Sequence, residues 1–280
     1  MVKYDGKKIT PPAGVQTYKL TASQSLLKWT EVFSLEPKKA KKQNILGLYM
    51  RIPEKADIDA LEKAYNKLLE VNDALRLVIF KKGGKSYQFI RDYEYEHLEI
   101  LDIGKSSSDF NAFVRETDGV MIPWNNHPLT WAKIVKSGHS AALVVRIHHA
   151  AADGFSLSLI FRQLNDFYDA FAAGKEPPEV KTYSIVKYFE KEEKYLSSPM
   201  HTADRKFWKK SFNSQRKYSF PAGYRSEFGD CKARSDMISG EAYEKMNAFC
   251  AESGCSLQSV ALAAMVLTVY ALTGKENFCI

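Results

Sequence analysis

The hydrophobic residues of this chain recur at two different spacings, and the change from one to the other restricts the fold more than any other feature. A spacing of two residues is typical of a half-buried strand, whereas a spacing of three or four residues is typical of an amphipathic helix. Helical spacing occurs in the segment DIDALEKAYNKLLEVN, where Asp57 stands at the position of an N-cap. The apolar face of this helix comprises Ile58, Leu61, Tyr65, Leu68 and Leu69. Because segments of both kinds follow one another along the chain, we expect a mixed α/β fold.

Two pairs of strands are expected to form hairpins. The segments ALRLVIF and SYQFI are joined by KKGGK, whose Gly83 and Gly84 suit a tight turn. The segments LTWAKIV and AALVVRIHH are joined by KSGHS in the same way. A further strand is expected near HLEIL, and helices are expected around residues 110–118 and from about Phe155. These elements predict a largely antiparallel or mixed sheet with helices packed on it.

The rest of the chain reads as a linker followed mainly by helices. The segment AAGKEPPEV, residues 172–180, ends the preceding helix and has the composition of a linker. Two helices, SIVKYFEKEEKYL and HTADRKFWKKSF, then precede a polar loop that continues through Asp230. We expect a strand at ARSDMIS, helices at EAYEKMNAFCAES and SLQSVALAAMVLTVYALTG, and the start of a strand at ENFCI.

The charge and the cysteines limit the classes of partner and of location. The chain has 40 basic and 33 acidic side chains, and its net charge of +7 favours an acidic partner or a phosphate-bearing ligand over nucleic acid, with solubility as the simpler explanation. The segment MVKYDGKKITPPAGVQ lacks the apolar core of a signal peptide, and the run VALAAMVL is too short to cross a bilayer. The 4 cysteines form no CxxC pair, which is typical of free thiols in a reducing compartment. We therefore expect a cytoplasmic protein that binds neither a membrane nor nucleic acid.

The segment RIHHAAADGFS carries the candidate chemistry. Strand alternation places His148 and His149 on opposite faces, so the two imidazoles cannot readily bind one metal ion. The chain has no HExxH motif and no cysteine-rich spacing, and we expect no metal site. It also lacks the GxSxG motif of a serine nucleophile. A single imidazole with a pKa near ~6.5 suits a general base, and a buried structural histidine is the alternative.

These residues match a known pattern, since the segment from His148 to Gly154 is HHxxxDG, a motif of the condensation domains of nonribosomal peptide synthetases. Other segments resemble that family in the same order along the chain. TASQSLLKW resembles its opening motif, with Gln24 and Trp29 in place, and IPWNNHPL resembles the segment before the second hairpin. NDALRLVIF resembles a further motif, although the leading Arg-His-Glu of that motif is replaced. The resemblance extends from about residue 16 to the last residue.

The resemblance implies a chloramphenicol-acetyltransferase-like fold of two α/β lobes with a tunnel between them. His149 matches the catalytic histidine, which takes a proton from the acceptor amine or orients it. His148 and Asp153 match positions regarded as structural, and we expect Asp153 to form an ion pair with Arg76. Gly154 is expected to allow a tight turn, and its N–H to face the oxyanion. The intact histidine pair argues against the family members that form heterocycles.

The resemblance also implies the substrates and partners. We expect amide-bond formation between an acyl or peptidyl thioester on one carrier protein and an amine on another, next to neighbouring synthetase domains. No intrinsic cofactor is expected, because the substrates are carried on the phosphopantetheine of the carrier proteins. The basic segments KKAKK (38–42) and DRKFWKK (204–210) favour an acidic carrier, with a solvated charged face as the alternative for each.

The resemblance divides the chain into four parts. These are an N-terminal extension (1–15), a first lobe that carries HHxxxDG (16–175), a linker with connecting helices (176–232) and the beginning of a second lobe (233–280). Condensation domains are longer, so we expect a truncated second lobe and an inactive isolated chain. Two other hypotheses stay open. One is an O- or N-acyltransferase that uses coenzyme A or a carrier, and the other is a non-catalytic carrier-binding module.

Overall fold

The computed structural model describes residues 3–34, 41, 43–52, 55–103, 107–211 and 236–274. Contacts within the chain divide it into two units, Met1–Ser197 and Ser198–Ile280. The predicted strand at 276–280, part of the predicted strand at 233–239, Cys231, Cys279 and nearly all of KKAKK lie outside the described residues. The limits expected for the lobes and the linker stay predictions.

The described strands of the first unit form two sheets. One sheet has the order β1-β4-β3 and is antiparallel, and the other has the order β2-β7-β6-β5, in which only β5 runs parallel to its neighbour β6. The strands are β1 (Tyr18–Lys19), β2 (Ile45–Ile52), β3 (Leu77–Lys82), β4 (Lys85–Ile90), β5 (Ile100–Asp102), β6 (Thr130–Ser137) and β7 (Ser140–His148). This topology confirms the predicted mixed α/β class.

The described helices are five in the first unit and three in the second. Those of the first unit are α1 (Ala22–Phe33), α2 (Ile58–Val71), α3 (Ser107–Thr117), α4 (Gly154–Ala172) and α5 (Ile185–Leu196). Those of the second unit are α6 (Pro199–Ser211), α7 (Glu241–Ser253) and α8 (Leu257–Thr273). A single 3-10 turn is described, Asp73–Arg76, and it leads into β3.

Strand β7 lies between β2 and β6, and residues 141–148 are buried. The odd-numbered side chains, such as Leu143 and Val145, belong to the core cluster shared with α2 and α4. The even-numbered Ala142 and Val144 belong to the cluster on the other face, which contains Trp131. Burial of each Leu or Val is worth about 1.5–3 kcal/mol, and a slip of one residue would exchange the two faces. The register of β7 is therefore strongly specified.

Both predicted hairpins are confirmed. Gly83 and Gly84 have φ of +57° and +78°, the left-handed conformation that a two-residue turn of this type requires. Gly138, with φ of +62°, is the first residue of the two-residue turn between β6 and β7, and there only this first residue has positive φ. The strand expected near HLEIL is shorter than predicted and begins only at Ile100.

The strand predicted at 233–239 is wrong over its described part, because residues 236–239 have no regular structure. Met237 in this segment is 89% exposed. An apolar residue favours a strand only when it can be buried against a neighbouring element, and no described strand pairs with this segment.

In the second unit, α7 and α8 are separated by a short turn in which Gly254 has φ of +66°. Ser256 caps α8, and its side chain accepts a hydrogen bond of 3.1 Å from the N–H of Ser259. No residue of α8, all of which is described, is buried. Its exposed large apolar residues are Leu257, Leu262, Met265, Val266, Leu267, Tyr270 and Leu272. Among the described residues no single helix is long and apolar enough to cross a bilayer, and α7 and α8 pass that test only as a pair bent by 105°.

The predicted N-cap of α2 is confirmed, since the Asp57 carboxylate accepts a hydrogen bond of 2.9 Å from the N–H of Ala60. We expect Asp57→Ala to lower the free energy of unfolding by about 1 kcal/mol, because that N–H loses its acceptor. Urea unfolding followed by circular dichroism measures the change. The control is Glu70→Ala, which removes a partly exposed pair with Lys67 and should cost less than about 0.5 kcal/mol. Equal losses in the two variants would contradict the capping role.

Candidate active site

The HHxxxDG segment lies where β7 ends and α4 begins, and we call residues 148–153 the histidine loop. His148 is the last residue of β7 and pairs with Ile45 of β2. Its N–H donates to the carbonyl of Leu129 at 2.8 Å, and the N–H of His149 donates to the carbonyl of Asn44 at 2.7 Å. The loop turns back at once, because the N–H of Ala151 donates to the carbonyl of His148 at 2.8 Å. The backbone on both sides of the two histidines is therefore fixed.

His148 is a buried histidine, with 1% of its surface exposed. Its Nδ1 lies 3.1 Å from the backbone N of Ala150, and its Nε2 lies 3.3 Å from Oε1 of Glu31. The rings of Trp124 and His148 pack in a T-shaped contact at 70°, with 4.8 Å between ring centroids. Both nitrogens and one side of the imidazole are therefore occupied by the protein, which leaves His148 no room to act on a substrate.

His149 lies one residue beyond the end of β7 and is half-buried. Within the described part of the chain, no hydrogen bond to its imidazole is found. The ring therefore keeps a lone pair that can accept a proton, as a general base requires. His148 lies on the face of β7 occupied by Arg146 and Val144, as the alternation predicted. That His149 faces a cleft between two lobes stays a prediction.

The predicted ion pair between Asp153 and Arg76 is wrong. The Asp153 carboxylate is the N-cap of α4, and it accepts hydrogen bonds from the N–H of Ser156 at 2.8 Å and from its hydroxyl at 2.6 Å. Arg76 instead donates to the carbonyl of Arg91 at 3.2 Å. The first N–H groups of a helix need acceptors, and a carboxylate three residues earlier supplies one locally. The hydrogen bonds from Ser156 lower the pKa of the Asp153 carboxyl below its usual range.

Gly154 does not carry the tight turn that was expected. It is the first residue of α4, it is not among the glycines with positive φ, and a Cβ added to it would meet no atom within 4 Å. The turn itself does not require glycine. The missing side chain leaves open space at the N-terminal end of α4, where N–H groups point outward. A role of the Gly154 N–H toward an oxyanion stays a prediction.

Gln24 of α1, singled out in the opening motif, reaches the histidine loop. Its Nε2 donates to the carbonyl of Ala150 at 3.0 Å and to Oε1 of Gln88 at 2.8 Å. Gln88 returns a hydrogen bond of 2.8 Å to Oε1 of Gln24 and donates to the carbonyl of Lys19 at 2.9 Å. Both amides are buried, and each hydrogen bond offsets the cost of removing a polar group from water. This pair ties the loop to strand β4.

Glu31 of α1 was missed in the sequence, although it lies in contact with His148. Burial raises the pKa of the Glu31 carboxyl. The hydrogen bonds from His148 and from the Asn44 side chain, the latter at 2.9 Å, lower this pKa by more than burial raises it, so the pKa lies below its usual range. The stability that this carboxylate contributes is therefore complete at neutral pH and is lost as the pH falls through the lowered pKa.

The burial pattern of α1, which only the structure shows, singles out Glu31. The two buried residues of this helix are Gln24 and Glu31, seven positions apart and hence on one face. Large apolar residues of the helix, including Leu26, Trp29 and Phe33, are exposed. A helix whose buried face is polar and whose exposed face is apolar reverses the usual pattern. That reversal indicates that α1 serves the polar surroundings of the histidine loop.

Comparison with known proteins identifies the family. The model of the condensation domain family matches residues 16–280. The chain belongs to the condensation domain family. Among curated relatives of this condensation domain, a plipastatin synthase subunit of Bacillus subtilis (strain 168) is 27% identical over 94% of the chain, and enniatin synthase of Fusarium equiseti is 26% identical over 83%. The matches span 10% and 8% of the length of these two proteins.

Solved condensation domains share the fold. The starter condensation domain of rhizomide synthetase RzmA has a TM-score of 0.73 at 20% identity, over 94% of this chain and 60% of that one. The first condensation domain of the calcium-dependent antibiotic synthetase has a TM-score of 0.71 at 17% identity, over 94% of this chain and 62% of that one. The chain thus spans about three fifths of the length of either solved chain.

The capping role of Asp153 in this condensation domain can be separated from an ion pair by two substitutions. Asp153→Ala removes the acceptor for Ser156 and should cost about 1 kcal/mol of unfolding free energy. Asp153→Asn removes the charge but keeps a good N-cap, so it should cost less than half as much. Urea unfolding of both variants decides between the roles. Equal losses for Ala and Asn would indicate that the charge matters and that capping does not.

Proposed function

We propose that this condensation domain forms amide bonds within a nonribosomal peptide synthetase, joining a carrier-bound acyl or peptidyl thioester to an acceptor amine. One observation carries the proposal: His149 has a fixed backbone and an imidazole without a hydrogen-bond partner among the described residues, at the end of a strand whose register is specified by burial. Membership of the family supports it as well. The domain acts as an acyltransferase.

In the proposed reaction, the acceptor amine attacks the thioester carbonyl while His149 takes one proton from the amine nitrogen. The resulting oxyanion lies near the N-terminal end of α4, which begins at Gly154, and accepts a hydrogen bond from the N–H of that residue in this proposal. Collapse of this intermediate breaks the carbon–sulfur bond, and the departing thiolate takes a proton from the imidazolium. Holding the two reactants in position contributes about 7–11 kcal/mol to lowering the barrier. A single general base contributes only about 10²–10⁴-fold.

The proposed partners are donor and acceptor carrier proteins and neighbouring synthetase domains, and the proposed location is the cytoplasm. The phosphopantetheine arms of the carriers hold the substrates, and the domain needs no cofactor of its own. The basic residues of α6, including Lys209 and Lys210 in its last turn, are exposed and suit an acidic carrier. The relatives include whole synthetase polypeptides, which supports neighbouring domains in the same chain.

A second candidate donor is a coenzyme A thioester. A solved variant of the RzmA starter condensation domain is described in complex with C8-CoA. Coenzyme A presents its acyl group on the same kind of thiol as a carrier does, so the reacting atoms are alike for both donors. The two donors differ in that only the carrier presents a protein surface to the condensation domain.

The proposed function predicts how turnover depends on the kind of donor and how kcat depends on His149. In the natural polypeptide that contains these residues, we expect turnover of an acyl-carrier donor to exceed that of the matching acyl-coenzyme A at least tenfold. His149→Ala should lower kcat by about 10²–10⁴-fold, because the general base is lost while positioning survives. His97→Ala, which changes an exposed histidine paired with Glu62, serves as the matched control. Equal turnover of both donors would favour the coenzyme A reaction, and full activity of His149→Ala would refute the role of His149.

For an isolated polypeptide of these 280 residues, we infer little or no amide-forming activity. It spans about three fifths of the solved starter condensation domain, and its helix α8 exposes several large apolar side chains. Exposed patches of this kind promote self-association. Light scattering should show assemblies larger than a monomer, and turnover with two loaded carriers should stay near background. A monodisperse monomer with robust turnover would contradict this inference, and carrier binding without turnover would indicate a binding module.

A further inference from the structure

The backbone of the histidine loop is fixed by buried hydrogen bonds that converge on one residue, Ala150. The N–H of Ala150 faces Nδ1 of His148 at 3.1 Å, and the carbonyl of Ala150 accepts from Gln24 at 3.0 Å. Both polar groups of the residue that follows His149 are therefore occupied by side chains from the interior. Any change in the orientation of the His148 ring shifts one of these contacts.

The contacts of His148 determine which ring nitrogen carries the proton. A backbone N–H can only donate, so Nδ1 of His148 must offer a lone pair to Ala150. The proton of the neutral ring then lies on Nε2, which donates to Oε1 of Glu31 at 3.3 Å. An imidazole with protons on both nitrogens would lose the contact with Ala150. The acceptor at Glu31 thus selects the tautomer that holds the loop.

Glu31 also acts on the backbone of His149 indirectly, through Asn44. The side chain of Asn44 donates to Oε1 of Glu31 at 2.9 Å, while the backbone carbonyl of Asn44 accepts the N–H of His149 at 2.7 Å. One carboxylate oxygen therefore binds His148, which precedes His149, and Asn44, which holds the His149 backbone. Glu31 does not contact His149 directly, so any effect on it passes through these two residues.

A buried carboxylate is a costly way to fill this space. Glu31 is 7% exposed, and replacement of a whole buried ion pair by well-packed hydrophobic residues is often neutral or stabilising, whereas removal of one partner alone is destabilising. Stability alone therefore gives little reason for a carboxylate here. Its use lies in the acceptor oxygen that it offers to two donors at once.

We propose that Glu31 is a positioning residue for His149. Glu31 keeps His148 in the tautomer that binds the N–H of Ala150, and it keeps Asn44 in place. The imidazole of His149 is thereby held where it meets the acceptor amine. The proposal rests on the function proposed above. A carboxamide still offers one acceptor oxygen at this position, whereas an aliphatic side chain offers none.

The kinetic test uses the natural polypeptide that contains these residues, with loaded donor and acceptor carriers. Glu31→Leu should lower kcat by roughly 10–100-fold, since a small misplacement of a catalytic group can cost about 10²-fold, and should change KM less than about twofold. Glu31→Gln should recover most of the lost kcat. The control is Glu99→Leu, which removes one of the two carboxylate partners of the buried Lys133 elsewhere in the first unit and should leave kcat unchanged. Equal kcat losses in Glu31→Leu and Glu99→Leu, or no recovery in Glu31→Gln, would overturn the proposal.

A structural readout separates failure of this proposal from failure of the proposed function. In a crystal structure of the Glu31→Leu protein, the His148 ring should turn and lose its contact with Ala150, and Glu31→Gln should keep that contact. An unchanged His148 and histidine loop in Glu31→Leu would refute the positioning role even where no carrier is turned over.

If Glu31→Leu does not fold, Asn44→Ala removes one donor to Glu31 and keeps the backbone carbonyl. We then expect a two- to tenfold loss of kcat, and an unchanged kcat would refute the proposal.

Discussion

The burial of strand β7 on both faces is the constraint on which the rest of the structure depends. This strand lies between β2 and β6, and its side chains alternate between two separate core clusters. A slip of one residue would place Arg146 in the cluster that contacts α2 and α4, at a cost of several kcal/mol for an unpaired charge. In this register the last residue of the strand is His148. Because of that end point, His148 is inside the protein and His149 is at the edge of the core.

The buried carboxylate, amides and imidazole around the histidine loop are tolerated because they bind one another or the backbone. Around the histidine loop these partners come from α1, the segment before β2 and strand β4, in the form of Glu31, Asn44, Gln24 and Gln88. Each group would be costly to bury alone, and a hydrogen bond offsets that cost in each case. Three elements distant in sequence thus meet at one loop of a condensation domain. Hydrogen bonds in a dry interior also resist rearrangement, which suits a catalytic group that must hold its position.

The contrast between Asp153 and Glu31 shows how local and distant interactions compete. An ion pair between Asp153 and Arg76 joins residues far apart in the chain, whereas the N-cap of α4 needs an acceptor only three residues away. The local bond forms with the helix itself and orders no further segment. A buried carboxylate does bind a histidine of the motif, but it is Glu31 and not Asp153. Sequence patterns describe which residue types are needed more reliably than they describe which of them meet.

The sequence by itself determined the mixed α/β class, the two hairpins, the cap at Asp57 and the placement of the two histidines on either side of the end of β7. Each of these follows from residues close together in the chain, through periodicity, turn chemistry or capping. Only the tertiary structure decided that Glu31 and Asn44 meet His148, that Gln24 binds Ala150 and that Asp153 caps a helix without Arg76. These contacts join residues up to 126 positions apart. Their formation depends on how the sheet and helices pack, and no local pattern in the chain encodes that packing.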